Sequence, residues 1–565
     1  MNNDEEKSAE INSEVLLSYR DKTVDTFKAS PEQHKAIDKY VKILQKKPND
    51  AQASFFLGFL LFQVNKTEEA KHLVSQAIAL GLENHDVYRT LGAIYQSLEA
   101  FEKSSICEKK AITFNPEYVD GHYNIGCNHL KLGNSVKAIE SFQQVVAMQP
   151  DHYEAHNNLG LAYFNEKLFK NSIDSYNNAL EIKPDFPLSY LGKGNTLREI
   201  GQTEDAVGSF QKAITIDPNF TDAHNNLGNV RKDLGLYEDA LKSLNTAYSL
   251  APTNATVRKN IGIINLLMGN FKIGWEEYSW RRFENNSELT ERIYSQPLWN
   301  GEDLNGKTIF VYSEQGFGDT IQFVRYLDLL KKQGGLVVLD AQHSLASLLK
   351  EMESINILLK KDELPPPFDF HVPLMELPRI YSTNATNIPS ANGYLTANKM
   401  LVEAWRTRLG QKEEFRIGIV WAGSPTRLDD HNRSMSLEYL KPLFDVEGCT
   451  FFSLQFGERC QDITSAGYEH TLKNLEQDII GFMEPAAAIT NMDLVISVDT
   501  AIVHLAGALG KPVWTLLQFD SDWRWMLNRN DSPWYSFMKL FRQEKRQDWK
   551  GVIERVKNEL MELVK

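Results

Sequence analysis

Cysteine is scarce: Cys107, Cys127, Cys449 and Cys460 are the four in 565 residues, with no Cys-x-x-Cys pair and no metal-ligand spacing. That scarcity excludes a disulfide framework and suits a reducing compartment. Long apolar runs are missing as well; none approaches the roughly 20 residues that a membrane-spanning helix needs. The opening MNNDEEKSAE is acidic and polar, unlike a signal peptide. Positive charge is not in excess either. A net charge of −14 argues against a dedicated nucleic-acid or anionic-membrane binder, since either needs a basic footprint. These absences predict a cytoplasmic protein. What remains, 42% hydrophobic and 24% charged residues, describes a soluble globular chain. Its length implies about three to four domains.

Periodicity dominates the first half. Gly58, Gly92, Gly126, Gly160, Gly194, Gly228 and Gly262 are spaced 34 residues apart, and a small residue follows each at twelve: Ala70, Ser104, Ala138, Ser172, Ala206, Ala240 and Gly274. Pro48, Pro116, Pro150, Pro184, Pro218 and Pro252 keep the same register, with Leu82 in the one gap. Small residues let paired helices approach, and proline ends the second helix of each pair. The pattern resembles the tetratricopeptide repeat, with about six full repeats, a degraded leading one at Ala36 and Pro48, and a trailing one at 262–283. Such arrays stack into an all-α superhelix whose concave face suits an extended partner. Asn124, Asn158, Asn226 and Asn260 each stand two residues before a repeat glycine, with Gly192 in the intervening slot. Such a row can pair with a polypeptide backbone without reading its side chains, so these four are candidate acceptor-binding residues. It is similar to the asparagine ladder of nucleocytoplasmic O-linked N-acetylglucosamine transferases. The competing reading is plain Asn-Leu-Gly composition. His122, His129, His152, His156 and His224 lie among polar helix residues and read as solvated or capping groups.

After Phe283 the period breaks into a polar, turn-rich connection, and strand and helix patterns alternate. Strands are expected at Thr308–Tyr312, Leu336–Asp340, Ile355–Leu359, Asp369–Pro373, Arg416–Trp421, Thr450–Gln455, Leu494–Asp499 and Val513–Leu517. Alternating βα units imply parallel sheets covered on both faces. The chain divides into a polar tail (1–15), a repeat array (16–283), a linker (284–304), a first α/β lobe (305–400), a connector (401–415), a second lobe (416–548) and a terminal helix (549–565).

Two stretches carry the chemistry. In VYSEQGFGDTIQFVRY, residues 311–326, a buried strand leads through Gly316 and Gly318 into a helix expected from Thr320, with Asp319 at the entrance. Asp319 reads either as an N-terminal cap or as a carboxylate at the carboxyl end of a strand, where open α/β sheets place ligands. Glu314 is its rival as a base. In LVISVDTAIVHLAGALGKPVWTLL, residues 494–517, a buried strand runs into Asp499-Thr500 and a helix begins. The free N–H groups there, with the Thr500 hydroxyl, make an anion site suited to phosphate, and His504 lies one turn along the same face.

The D-T-x-x-x-H-L-x-x-A-L-x-x-P pattern at Asp499–Pro512 resembles the donor-binding signature of glycosyltransferase family 9, the bacterial heptosyltransferases. Gly318-Asp319 resembles that family's N-terminal Gly-Asp, whose carboxylate is the proposed catalytic base. WAGSPTRLDDHNRSMSLEYL, residues 421–440, corresponds to the loop that meets the donor's phosphates, with Arg433 where heptosyltransferases tend to carry lysine. Ala501 replaces their usual glycine, and the Glu314-Gln315-Gly316-Phe317 loop lacks their serines. The layout over residues 30–545 is similar to bacterial proteins that place a tetratricopeptide arm before a family-9-like region, flagellin glycosyltransferases among them.

The resemblance implies a GT-B fold of two Rossmann-like lobes, an inverting mechanism, and no metal or other cofactor. Asp319 would be catalytic. Gln315, Gly318, Arg433, Gln455, Asp499, Thr500 and His504 would contact a nucleotide-sugar in the second lobe. Partners would be that donor and a polypeptide acceptor, possible candidates including flagellin. Gln455 reads equally as a turn residue. No Asp-x-Asp stands in the cleft-forming loops; Asp429-Asp430 and the DSDWRW run at 520–525 are alternatives, the latter a metal site or a polar turn between packed tryptophans. Trp421, Trp514, Trp523, Trp525 and Trp534 are expected to be core.

Overall fold

The computed structural model describes residues 30–284, 292, 294–390, 392–425 and 430–565. The expected tail, part of the linker and Asp429 lie outside them. The chain divides into two compact units, one ending at Val230 and the other starting at Arg231.

The first unit is a stack of antiparallel helix pairs, for example His85–Ser97 with Phe101–Phe114 and Val119–Lys131 with Ser135–Met148. The 34-residue glycines sit where two helices touch. A Cβ at Gly126 would stand 2.6 Å from the Phe142 ring, and one at Gly194 2.6 Å from Phe210. Each aromatic plugs the space its glycine leaves open. The repeat prolines follow the C-cap residues Asn115, Gln149, Lys183 and Asp217, ending each second helix as expected.

The second unit begins with the remaining repeat helices, Tyr237–Leu250, Ala255–Leu267 and Phe271–Tyr278, and a short turn, Ser279–Phe283. Two parallel sheets follow. The first contains β1 (Thr308–Tyr312), β2 (Leu336–Asp340), β3 (Ile357–Leu358) and β4 (Phe370–Pro373), in the order β3-β2-β1-β4. The second contains β5 (Phe415–Val420), β6 (Cys449–Ser453), β7 (Leu472–Asn474), β8 (Leu494–Val498), β9 (Val513–Leu517) and β10 (Met538–Arg542), in the order β10-β9-β8-β5-β6-β7. The architecture is therefore a repeat superhelix followed by a parallel-sheet α/β region. β7 and β10 were not expected. β7 is only three residues with Leu472 alone buried, too short to show a pattern. Among the described residues no helix is long and apolar enough to cross a membrane.

The final repeat helices are built into the α/β core. Trp275 donates its Nε1–H to the Thr383 carbonyl at 2.8 Å and meets the Trp523 ring edge-on at 5.2 Å. Arg281 pairs with Glu314 through two bonds of 2.8 and 2.9 Å and with Glu376 at 2.8 Å. All three side chains are buried, the carboxylates to 1% exposure. The terminal helix, Trp549–Leu563, covers the second sheet through a stripe of Val552, Val556 and Leu560.

Candidate active site

Each sheet has one point where consecutive strands leave in opposite directions. In the first, β1 lies between β2 and β4; in the second, β5 lies between β6 and β8. Crevices for ligands form outside the carboxyl ends of strands at such points. The segments that follow β1, β5 and β8 there carry Asp319, Arg433 and Thr500.

The helix after β1 runs Phe317–Phe323, three residues ahead of the expected start. Gly316 takes the cap position without any side-chain capping bond. Asp319 is thus the third helical residue, and the cap reading is corrected. Its carboxylate pairs instead with Arg524 of the other lobe. Arg524 also donates from Nε to Gln322 Oε1 at 2.7 Å and from Nη1 to Asp522 Oδ1 at 2.8 Å. Burial opposes its charge, but Asp522 and Asp319 more than offset this and hold the guanidinium protonated. Asp522 therefore caps the short Trp523–Trp525 turn and braces Arg524. The turn reading of DSDWRW fits this geometry, with Trp523 and Trp525 both buried. Sequence reasoning missed Arg524 because its partner lies 205 residues away.

Thr500 caps the Ala501–Ala508 helix, accepting from the Ile502 N–H at 3.3 Å. Asp499 accepts from Trp525 Nε1 at 2.9 Å, while its carbonyl accepts from Arg433 Nη1 at 3.2 Å. Arg433 is fixed in turn by Asp430, 2.9 Å from its Nε. Gly318 packs directly on this helix. A Cβ there would stand 2.9 Å from His504 Cδ2 and 3.6 Å from Ala501 Cα. The helix bearing Asp319 and the helix capped by Thr500 therefore pack directly against each other.

His504 is buried beneath that contact, stacked on Trp525 with its Nδ1 3.0 Å from the Tyr535 hydroxyl. Burial first, and then the Arg524 charge, depress its pKa to about 3, so the ring is neutral at any physiological pH. The unfolded chain protonates this histidine near 6.5 and so binds more protons between the two values. The stability it contributes above about pH 6.5 is lost as pH falls, at up to about 1.4 kcal/mol per pH unit. Urea melts should therefore weaken less steeply from pH 6.5 to 5 in His504→Gln than in the parent. Equal slopes would contradict this assignment.

The other predicted residues are placed as follows. Gln455 is buried, its amide accepting from the Trp421 and Ala422 N–H groups and donating to the Ala422 carbonyl at 3.0 Å. It fastens the loops after β5 and β6 to each other. Gln315 is exposed, 3.3 Å from the Tyr278 hydroxyl. Glu314 is committed to Arg281 and to the Met375 N–H at 3.1 Å, which turns it away from a base role. In the first unit, Asn124 donates to Glu108 at 2.9 Å, Asn158 to the Tyr123 hydroxyl at 3.0 Å, and Asn226 to Asn195 at 2.8 Å. Asn260, in the second unit, is half-buried on the Ala255–Leu267 helix. Of the five histidines, His152 caps its helix by accepting from the Ala155 N–H at 3.2 Å, and His156 and His224 bond the Pro150 and Pro218 carbonyls. The five tryptophans named above are all buried.

Residues 479–534, which include Asp499, Thr500, His504 and Arg524, match glycosyltransferase family 9 (heptosyltransferase), and residues 123–187, 194–235 and 221–254 match tetratricopeptide-repeat families. The chain carries a family 9 glycosyltransferase domain behind tetratricopeptide repeats. It is 25% identical over 317 residues to Protein FlbA of Caulobacter vibrioides, covering 52% of this chain and 53% of that protein. The chain thus spans about half the length of that relative. The Hsp70-Hsp90 organizing protein of Triticum aestivum is 28% identical over 86 residues, 15% of each chain. Among solved structures, YrrB, a TPR protein with an unusual peptide-binding site, is 23% identical and covers 33% of this chain and 95% of its own, with a TM-score of 0.30. Asp319 and Arg433 lie outside the family 9 match and join its residues through the geometry above.

Proposed function

We propose that this protein is an inverting, metal-independent glycosyltransferase of the cytoplasm, moving a sugar from a nucleotide-sugar to a hydroxyl of a polypeptide held by the repeats. Flagellin is the first candidate acceptor. The observation that carries this reading is the packing of the Asp319 helix directly against the helix that Thr500 caps. The donor phosphate sits over the N-terminus of the Ala501–Ala508 helix, with Arg433 beside it. Asp319 faces the sugar from the first lobe and takes the acceptor's proton as the hydroxyl oxygen attacks the anomeric carbon. The bond to the leaving phosphate breaks on the opposite face, which inverts that carbon. Charge developing on the phosphate is met by the fixed N–H dipoles and the guanidinium. Arg524 touches neither bond; it positions Asp319. The test is intact-mass analysis of candidate acceptors incubated with a panel of nucleotide-sugars and EDTA. A sugar-sized mass gain on a polypeptide supports the reading. Transfer only to a glycan or lipid-linked acceptor, or only when a divalent metal is restored, overturns the corresponding part.

A further inference from the structure

A second feature lies in the first unit, at the one repeat that breaks the plug rule. Sixteen residues after each repeat glycine the sequence places Val74, Phe142, Tyr176, Phe210, Leu244 and Tyr278; after Gly92 it places Glu108. Glu108 occupies the plug position, for a Cβ on Gly92 would stand 2.9 Å from its Oε1. It is fully buried. Oε1 accepts from Asn124 Nδ2 at 2.9 Å, whereas Oε2 has no partner in hydrogen-bond geometry, although Tyr118 stands beside it. A buried carboxylate bonded by Asn124 and flanked by Tyr118 is still a costly substitute for an aromatic ring.

Beside Glu108 opens a cavity of about 390 Å³. Its walls add Asp120 and Glu154, the rings of Tyr118 and Tyr123, and Asn124, with Arg89 the one arginine or lysine. The carboxylates come from three helices, Phe101–Phe114, Val119–Lys131 and Tyr153–Asn165, so they converge rather than line one exposed face. Tyr123 is held in place by Asn158 and by stacking on His152 at 4.9 Å. Two of the row asparagines thus shape this cavity. Carboxylates outnumber the opposing guanidinium, and aromatic faces attract cations.

We propose that this cavity seats a cationic side chain, a lysine or arginine, of an extended polypeptide bound along the repeats. The inference rests on the polypeptide-acceptor reading above and adds a specificity that backbone contacts alone lack. The side chain's ammonium or guanidinium is held by the field of the Glu108, Asp120 and Glu154 carboxylates while its alkyl stem lies along the tyrosine rings. Burial, the largest cause, raises the Glu108 pKa to about 7, against the lowering effects of Asn124 and Arg89; Asp120 adds to the rise, and Tyr118 and the Cys107 thiol also face it. A bound cation favours the ionised form, so binding near neutral pH releases a proton from Glu108.

The experiment uses the full chain and capped Gly/Ser decapeptides carrying one central lysine, arginine or norleucine. Calorimetry at pH 7 in two buffers of different ionisation enthalpy reads affinity and proton release together. The lysine or arginine peptide should bind at least about tenfold more tightly than the norleucine peptide, with net proton release. Glu108→Gln, which keeps the bond to Asn124, should remove both the preference and the release. Equal affinity for all three peptides, an unchanged preference in Glu108→Gln, or tighter binding of free spermidine overturns the proposal. Polypeptide glycosylation without any cation preference would sink this site and spare the acceptor reading. Cation-peptide binding with transfer confined to non-protein acceptors would do the reverse.

Discussion

With Asp319 as the proposed base, Asp319→Asn should lower sugar transfer by about 10²- to 10⁴-fold, the usual contribution of a positioned general base, while the protein stays folded. Transfer falls because an amide cannot take the acceptor's proton. Folding survives because Arg524 keeps Asp522 and Gln322 as partners and the asparagine carbonyl still accepts from it. Donor affinity should change little, since in the proposed binding mode the phosphate rests on the Thr500 helix and Arg433. Single-turnover kinetics beside calorimetric donor titration separates these effects. A loss smaller than about tenfold would remove Asp319 from the base role assigned to it. Arg524→Gln provides the contrast. Asp319 then keeps its proton-accepting oxygen but loses its fixed orientation, so the defect should be smaller and accompanied by an altered pH profile.

Arg281→Met destabilises the second unit by about 3–5 kcal/mol, the range for removing one partner of a buried ion pair. Glu314 loses the one cation paired with it among the described residues and keeps an N–H donor from Met375. Glu376 suffers less, because Arg379 remains 3.0 Å away and Arg282 3.7 Å. The asymmetry predicts that adding Glu314→Gln to Arg281→Met recovers most of the loss, since it removes the stranded charge. Urea midpoints at constant m-value would show it. A double variant as unstable as the single one would mean that packing, and not the carboxylate, carries the cost.

The repeat array was legible because its constraint is local and recurs: a residue with a Cβ at Gly126 or Gly194 collides with a ring sixteen residues on. β1, β2 and β9 matched their expected limits because each is an apolar run bounded by turn residues. The start of the Asp319 helix was misread because Phe317-Gly318 is a weak helix opening; contact with the Ala501–Ala508 helix supports it, and no sequence window contains that contact. Arg524 was hidden for the same reason. Between Trp523 and Trp525 it resembles a polar residue in an aromatic turn, and its meaning depends on where Asp319 arrives. Glu108 was visible in principle, once every repeat is aligned on its glycine and the sixteenth position is compared.

Trp275 and Arg281 belong by periodicity to the repeats, yet they are bonded into the sheet-bearing half. Modularity therefore has a different seam from the one the repeat pattern suggests. A shortened chain beginning at residue 284 would strip Glu314 of its cation and take the Trp275 and Tyr278 rings away from Trp523. Grafting this sugar-handling half onto a foreign repeat arm should succeed only if the junction is moved upstream, so that the last helices travel with it.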